Sequence, residues 1–335
     1  MRFPRLRRAL LTAACALPLV LAASCGGGDI VSELKPSRLV VVGDAFSDIG
    51  QRNGVRYTVN GPGSINWTEQ LASRYGLTLA TPANGGTSYA SGSARVTVKP
   101  DAAGNPDTPT ITEQITTFLG SQGIAGNDLI IISGGIGDIL AESAALRAGQ
   151  SAAQTRANVE QAARDLGDQV QRVVDAGASH VVVVGPYNLG RSPWAVAQQG
   201  GFLATCQEPT ESPNDATPAC LSSAFTQTLL VRIVKLGKNV AFVDPALHFN
   251  QVTSSPSGFG FDDSINLACN SRDTSTGPNG GIGIGPGQVS SLECNTGTLN
   301  FASIDRILFA DPIFFTPAGN VAFGNYAFDR LRERF

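Results

Sequence analysis

Arg38-Leu39-Val40-Val41-Val42-Gly43-Asp44-Ala45-Phe46-Ser47-Asp48-Ile49-Gly50 is the stretch that decides the fold. Its apolar run is short, β-branched and closed by Gly-Asp, so it reads as a fully buried strand running into a tight turn. Continuous apolar strands of this kind belong to parallel sheets covered on both faces. Further strands are expected at Leu77 to Ala80, Asp128 to Ser133, His180 to Val184 and Val240 to Val243. Helical patterns alternate with them at Trp67 to Tyr75, Ile111 to Leu119, Ala152 to Ala176 and Ser222 to Leu236. Val159, Ala162, Ala163, Leu166, Val170 and Val173 repeat every three to four residues, which gives the third of these helices one face for the sheet. Thr316-Pro317 starts a last helix, with Thr as cap and Pro in the first turn. Strand and helix in alternation predict an α/β domain, a parallel sheet flanked by helices in three layers.

The N-terminus is a separate matter. Met1 to Arg8 is basic, Ala9 to Ala23 is apolar but too short to span a bilayer, and small residues follow, which marks an export signal. Leu21-Ala22-Ala23-Ser24-Cys25 resembles a bacterial lipobox. That resemblance implies cleavage after residue 24, lipid on Cys25 and a membrane as partner through it, with 25–37 as a tether. Gly26 rather than Asp after Cys25 implies the outer membrane of a Gram-negative envelope. The alternative is an ordinary signal peptide and a periplasmic or secreted protein.

Of 24 basic residues, four (Arg2, Arg5, Arg7 and Arg8) fall in the leader with no acid, leaving 20 against 27 acidic residues and a net charge of −7. An acidic chain without Lys/Arg clusters is not a nucleic-acid binder. Beyond Cys15 and Cys25, Cys206, Cys220, Cys269 and Cys294 remain, and an even number in an exported chain predicts two disulfides. Of three pairings, nearest neighbours are favoured, since each pair brackets one loop-rich segment. Only two His and no Cys-x-x-Cys occur, so no zinc site and no cofactor are expected. Residues 254–303 read as one long loop region stapled by Cys269 and Cys294, and Val98 to Thr110 as a surface excursion. The Gly-rich tract Gly277 to Gly285 lacks a preceding strand and is not a dinucleotide fingerprint.

Four separated blocks carry a family resemblance. Gly43 to Gly50 resembles block I of the GDSL, or SGNH, hydrolases, Gly-Asp-Ser-Leu-Ser-Asp-x-Gly, with Ala45 at the nucleophilic Ser. Tyr89-Ala90-Ser91-Gly92-Ser93-Ala94-Arg95 resembles block II, with Ser93 at its second Gly. Gly135-Ile136-Gly137-Asp138 resembles Gly-x-Asn-Asp of block III, with Gly137 at the Asn. Asp311-Pro312-Ile313-Phe314-Phe315-Thr316 resembles block V, Asp-x-x-His, keeping Asp311 but carrying Phe314 at the His. The resemblance spans about residue 38 to the C-terminus and implies a flavodoxin-like, SGNH-hydrolase-like fold. It further implies acyl-transfer chemistry in which Ser attacks an ester, His moves the proton, Asp orients His, and backbone and Asn donors hold the oxyanion.

Three of those groups are missing. Loss of the Ser or the His alone costs on the order of 10⁶ in turnover, and the oxyanion donor about 10² to 10³. Ser47 reads as a supporting member of the turn, His180 as a strand-end residue, and His248 sits outside the family spacing. The expectation is therefore an exported, catalytically inactive lipoprotein that binds a lipid- or ester-like molecule in the former active-site cleft. The alternatives are an esterase or lipase working through other residues, and a structural envelope protein whose cleft is filled by Phe314 and Phe315.

Overall fold

A computed structural model of the chain describes residues 34–201, 203–206, 215–275 and 280–335. The leader 1–24, Cys25 and most of the tether lie outside the described residues, as do 277–279 of the glycine-rich tract.

Strands β1 (Arg38–Val42), β2 (Asp128–Ser133), β3 (Val181–Val184) and β4 (Val240–Phe242) form one parallel sheet in that order. The register pairs Val40 with Ile130, Ile131 with Val182, and Val182 with Ala241. Consecutive residues on β1 and β2 are buried alike, so both faces of the sheet are covered and alternation is absent, as a parallel sheet requires. Two groups of helices pack among themselves around this sheet. One contains α2 (Ile111–Ser121), α3 (Ile136–Arg147), α4 (Ala152–Asp175) and α6 (Pro218–Ile233). The other contains α1 (Trp67–Arg74), α7 (Pro245–Ser254) and α9 (Pro317–Arg334). Short α5 (Pro193–Gln198) touches β5 (Asp263–Leu267), which pairs in parallel with β6 (Ile307–Phe309) in a second small sheet, and α8 (Gly280–Gly283) is a single turn.

Local chemistry sets the helix boundaries. Thr110 and Asn66 each accept an N-terminal amide while a Glu three residues later reaches back to the cap amide, a capping box at both helices. Thr316 accepts from the Gly319 amide at 3.2 Å and Pro317 opens α9, as its sequence predicts. Helix α6 starts at Pro218, four residues before the expected start, because Thr217 caps it.

Two expectations need correction. Leu77 to Ala80 is not a strand. Leu77 and Leu79 pack on the core, the chain turns through Pro82–Asn84, and the rungs on the free edge of β1 come ten residues later. There Val41 N–H donates to Thr87 O at 3.0 Å, Tyr89 N–H to Val41 O at 2.7 Å, and Ser91 N–H to Gly43 O at 3.1 Å. Register follows which residues reach β1, and the Leu77 run bonds elsewhere, Leu77 N–H to Ala72 O at 2.9 Å and Ser88 N–H to Ala80 O at 3.0 Å. The region 254–303 is not one loop either, since it contributes β5 to the second sheet. Both disulfides form as nearest neighbours, Cys206–Cys220 with Cα atoms 4.7 Å apart and Cys269–Cys294 at 5.7 Å.

Candidate functional site

The four blocks converge. Block I follows β1 and block III follows β2, so both lie at the carboxyl ends of adjacent parallel strands, where α/β sheets place their crevice. Asp44 joins them, because its Oδ2 accepts from the amides of Ile136 (3.1 Å) and Gly137 (3.5 Å) and its Oδ1 from Phe46 (3.1 Å). Asp48 ties block I to block II by accepting from Gly92 at 2.7 Å, and from Gly50 and Gln51 at 2.8 Å each. Block V arrives through rings. Phe46 meets Phe315 with centroids 5.9 Å apart, and Phe314 meets Tyr57 at 4.9 Å. The Tyr57 hydroxyl reaches block II, lying 3.5 Å from where a Cβ on Gly92 would stand.

Each family-equivalent position is interior. Ala45 is 2% exposed, Ser93 2%, Phe314 1% and Asp311 0%, and Gly137 is buried. Gly137 is more than a missing amide. A Cβ there would stand 2.2 Å from Ala94 O and 2.8 Å from Ser93 O, so the block II backbone occupies the volume that an Asn side chain needs. That approach is held by Asp138, which accepts from the Val96 amide at 3.1 Å and pairs with Arg95, whose Nη2 also reaches Glu142 at 2.8 Å.

Asp311 is a buried acceptor of backbone amides. Its Oδ1 accepts from the amides of Ile313 (2.7 Å) and Phe314 (2.6 Å), and Oδ2 from Ser291 at 3.1 Å, inside the segment stapled by Cys269–Cys294. Burial pushes its carboxyl up to about 6, opposed by those donors. Asp44 is likewise pushed up to about 6, chiefly by burial and further by Asp138, while Asp138 reaches about 6 by burial against the pull of Arg95.

Neither histidine of the chain joins this cluster. His180 precedes β3, at the opposite end of the sheet, with its ring edge-on to Phe335 at 5.2 Å. His248 on α7 is 5% exposed, stacks on Tyr326 at 4.7 Å and has no hydrogen-bond partner on Nε2. Burial pulls it down to about 4, so it is neutral at neutral pH. Ser47 is fully buried and its Oγ lies 2.6 Å from Ser133 Oγ, a bond between β1 and β2 turns rather than a nucleophile.

The sequence missed one feature beside this cluster. A cavity of about 490 Å³ opens between α3, α5 and β5, with Pro312 in its wall. Its residues come from five separated segments, so no local pattern announces it. Comparison with protein-family models and with curated proteins finds no match to this chain.

Proposed function

We propose that this chain is a non-catalytic, SGNH-hydrolase-like lipoprotein of the bacterial envelope, anchored through Cys25, in which the former catalytic centre has become a structural junction. The observation that carries the reading is the closure at Gly137. The Ala94 carbonyl stands where an oxyanion-hole Asn would begin, so the missing donor has no room to return. Ala45 and Phe314 add the loss of nucleophile and base, and Asp311 now holds backbone amides instead of an imidazole. The same closure favours the structural alternative at this position over a ligand seated on Ala45, because its methyl group is 2% exposed. A lipid- or ester-like partner is better accommodated where the molecule keeps open volume.

The test is hydrolysis of short p-nitrophenyl esters by the purified chain, with the double variant Ala45→Ser/Phe314→His beside it. Both should match a heat-denatured control. Turnover by the unmodified chain that is lost on His248→Gln or Ser47→Ala would overturn the reading and establish an esterase with other residues.

A further inference from the structure

The cavity beside block V is amphipathic in a directional way. Its inner wall is apolar, with Trp194 9% and Ile284 7% exposed and with Leu267 and Val289 half-buried between them. Its outer rim carries two guanidinium groups, Arg147 from the end of α3 and Arg272 after β5, both exposed. Neither pairs with a carboxylate among the described residues. Arg147 lies 5.8 Å from the Trp194 ring, and Arg272 donates from one Nη to Gly287 O at 2.7 Å. Arg147 reaches solvent, but the part of it covered by the wall is desolvated with no compensating acid, which pulls it below its ordinary pKa, so an incoming anion would relieve an existing cost. Elsewhere in the molecule most partly buried arginines do have an acid. Arg38 pairs with Asp128, Arg56 with Glu69, and Arg95 with Asp138 and Glu142. Arg147 and Arg272 thus place two cations without an acid partner on one rim.

The walls are also fixed in place. Trp194 N–H donates to Pro312 O at 3.1 Å, which fastens α5 to the strand of chain that carries Asp311. A volume of about 490 Å³, predominantly apolar with a few converging polar groups, is that of a small-molecule site.

We propose that this cavity binds a small anionic amphiphile of the alkyl carboxylate class, its tail on Trp194, Leu267, Ile284 and Val289 and its carboxylate between Arg147 and Arg272. This names a site and a charge class for the lipid-like partner proposed above, and it rests on that reading only for the expectation of a ligand. A guanidinium fork suits a carboxylate through paired, charge-assisted hydrogen bonds, whereas a neutral alcohol gains only the apolar wall.

The experiment is a tryptophan-fluorescence titration of the purified chain with dodecanoate, dodecanol and dodecyltrimethylammonium at equal salt. Dodecanoate should give a saturable change that disappears in Trp194→Phe, since Trp67, the other indole, is fully buried in the core. Arg147→Gln and Arg272→Gln should each weaken dodecanoate by about tenfold and leave dodecanol unchanged. Ala197→Trp, which fills the cavity from α5, should abolish binding. Equal affinity for the alcohol or the ammonium, a response that survives Trp194→Phe, or no saturable response would overturn the proposal. Ester turnover in the same samples would overturn the non-catalytic reading alone, so the two failures are separable.

Discussion

Asp311 and Pro312 are neighbours in the chain, yet they face two regions built to opposite rules. Around Asp311 polar atoms are buried and satisfied by backbone amides, and apolar rings close the remaining space. Around Pro312 the apolar surface is left uncovered and two cations stand without acids. A buried carboxylate with three donors is a structural joint that fixes loop positions. An open apolar wall under a charged rim is costly in an empty molecule and useful in an occupied one. The difference teaches that convergence of motif-like segments and available volume need not coincide: the segments around Ala45, Ser93, Gly137 and Asp311 meet in a closed junction, while the open volume lies next door.

The comparison breaks most visibly at Gly137. Gly137→Asn drives a side chain into the Ala94 carbonyl, and because the obstacle is backbone the cost should exceed about 4 kcal/mol, leaving little folded protein by circular dichroism. A normally folded variant would show that the block II loop is free to withdraw and the site is only shut, not lost. Phe314→Ala should cost about 4 kcal/mol through the cavity left beside Tyr57, read from denaturant unfolding. Next comes the staple. Cys269→Ser/Cys294→Ser should cost about 3 kcal/mol and loosen Ser291 from Asp311, seen as faster amide exchange around residue 291.

A pH series sharpens the same contrast. Asp311 is raised from 3.8 to about 6, so the folded state binds the extra proton between those values. Its contribution to stability is complete below about 4 and is lost as pH rises through 6. His248, lowered from 6.5 to about 4, acts with the opposite sign, since its contribution is present above 6.5 and is lost as pH falls toward 4. Asp311→Asn should therefore reduce the gain in Tm on going from pH 7 to pH 5, and His248→Phe should increase it. Reversal of either sign would refute the burial argument for that group. The smallest stability effect belongs to the rim, where Arg147→Gln should stay within about 0.5 kcal/mol of the parent, because the side chain is exposed and has no acid partner.

Much of the scaffold was legible locally. Arg38–Val42 and Asp128–Ser133 were readable because continuous β-branched runs ended by Gly or Ser-Gly have few other uses in an α/β chain. Helix α4 announced itself by periodicity and the α9 start by its Thr-Pro cap. Leu77 to Ala80 failed because an apolar tetrapeptide has the same composition whether it pairs with β1 or covers it, and only long-range hydrogen bonding separates the two. Strand β5, Asp263–Leu267, failed for a related reason. Its sequence Asp-Ser-Ile-Asn-Leu is polar and half exposed, and its partner Ile307–Phe309 lies forty residues away.

What the sequence determined by itself is chemical absence and local form: Ala45 bears no hydroxyl, Gly137 no amide and Phe314 no imidazole, and the β1 run extends into a turn that Asp44 caps. What only the tertiary structure decided is space. Whether room exists beside Gly137 depended on how residues 91–96 settled against α3, and whether a cavity formed depended on segments from Arg147 to Pro312 meeting at one place. Side-chain chemistry is a property of single residues, whereas volume is a property of the packing among residues far apart in the chain.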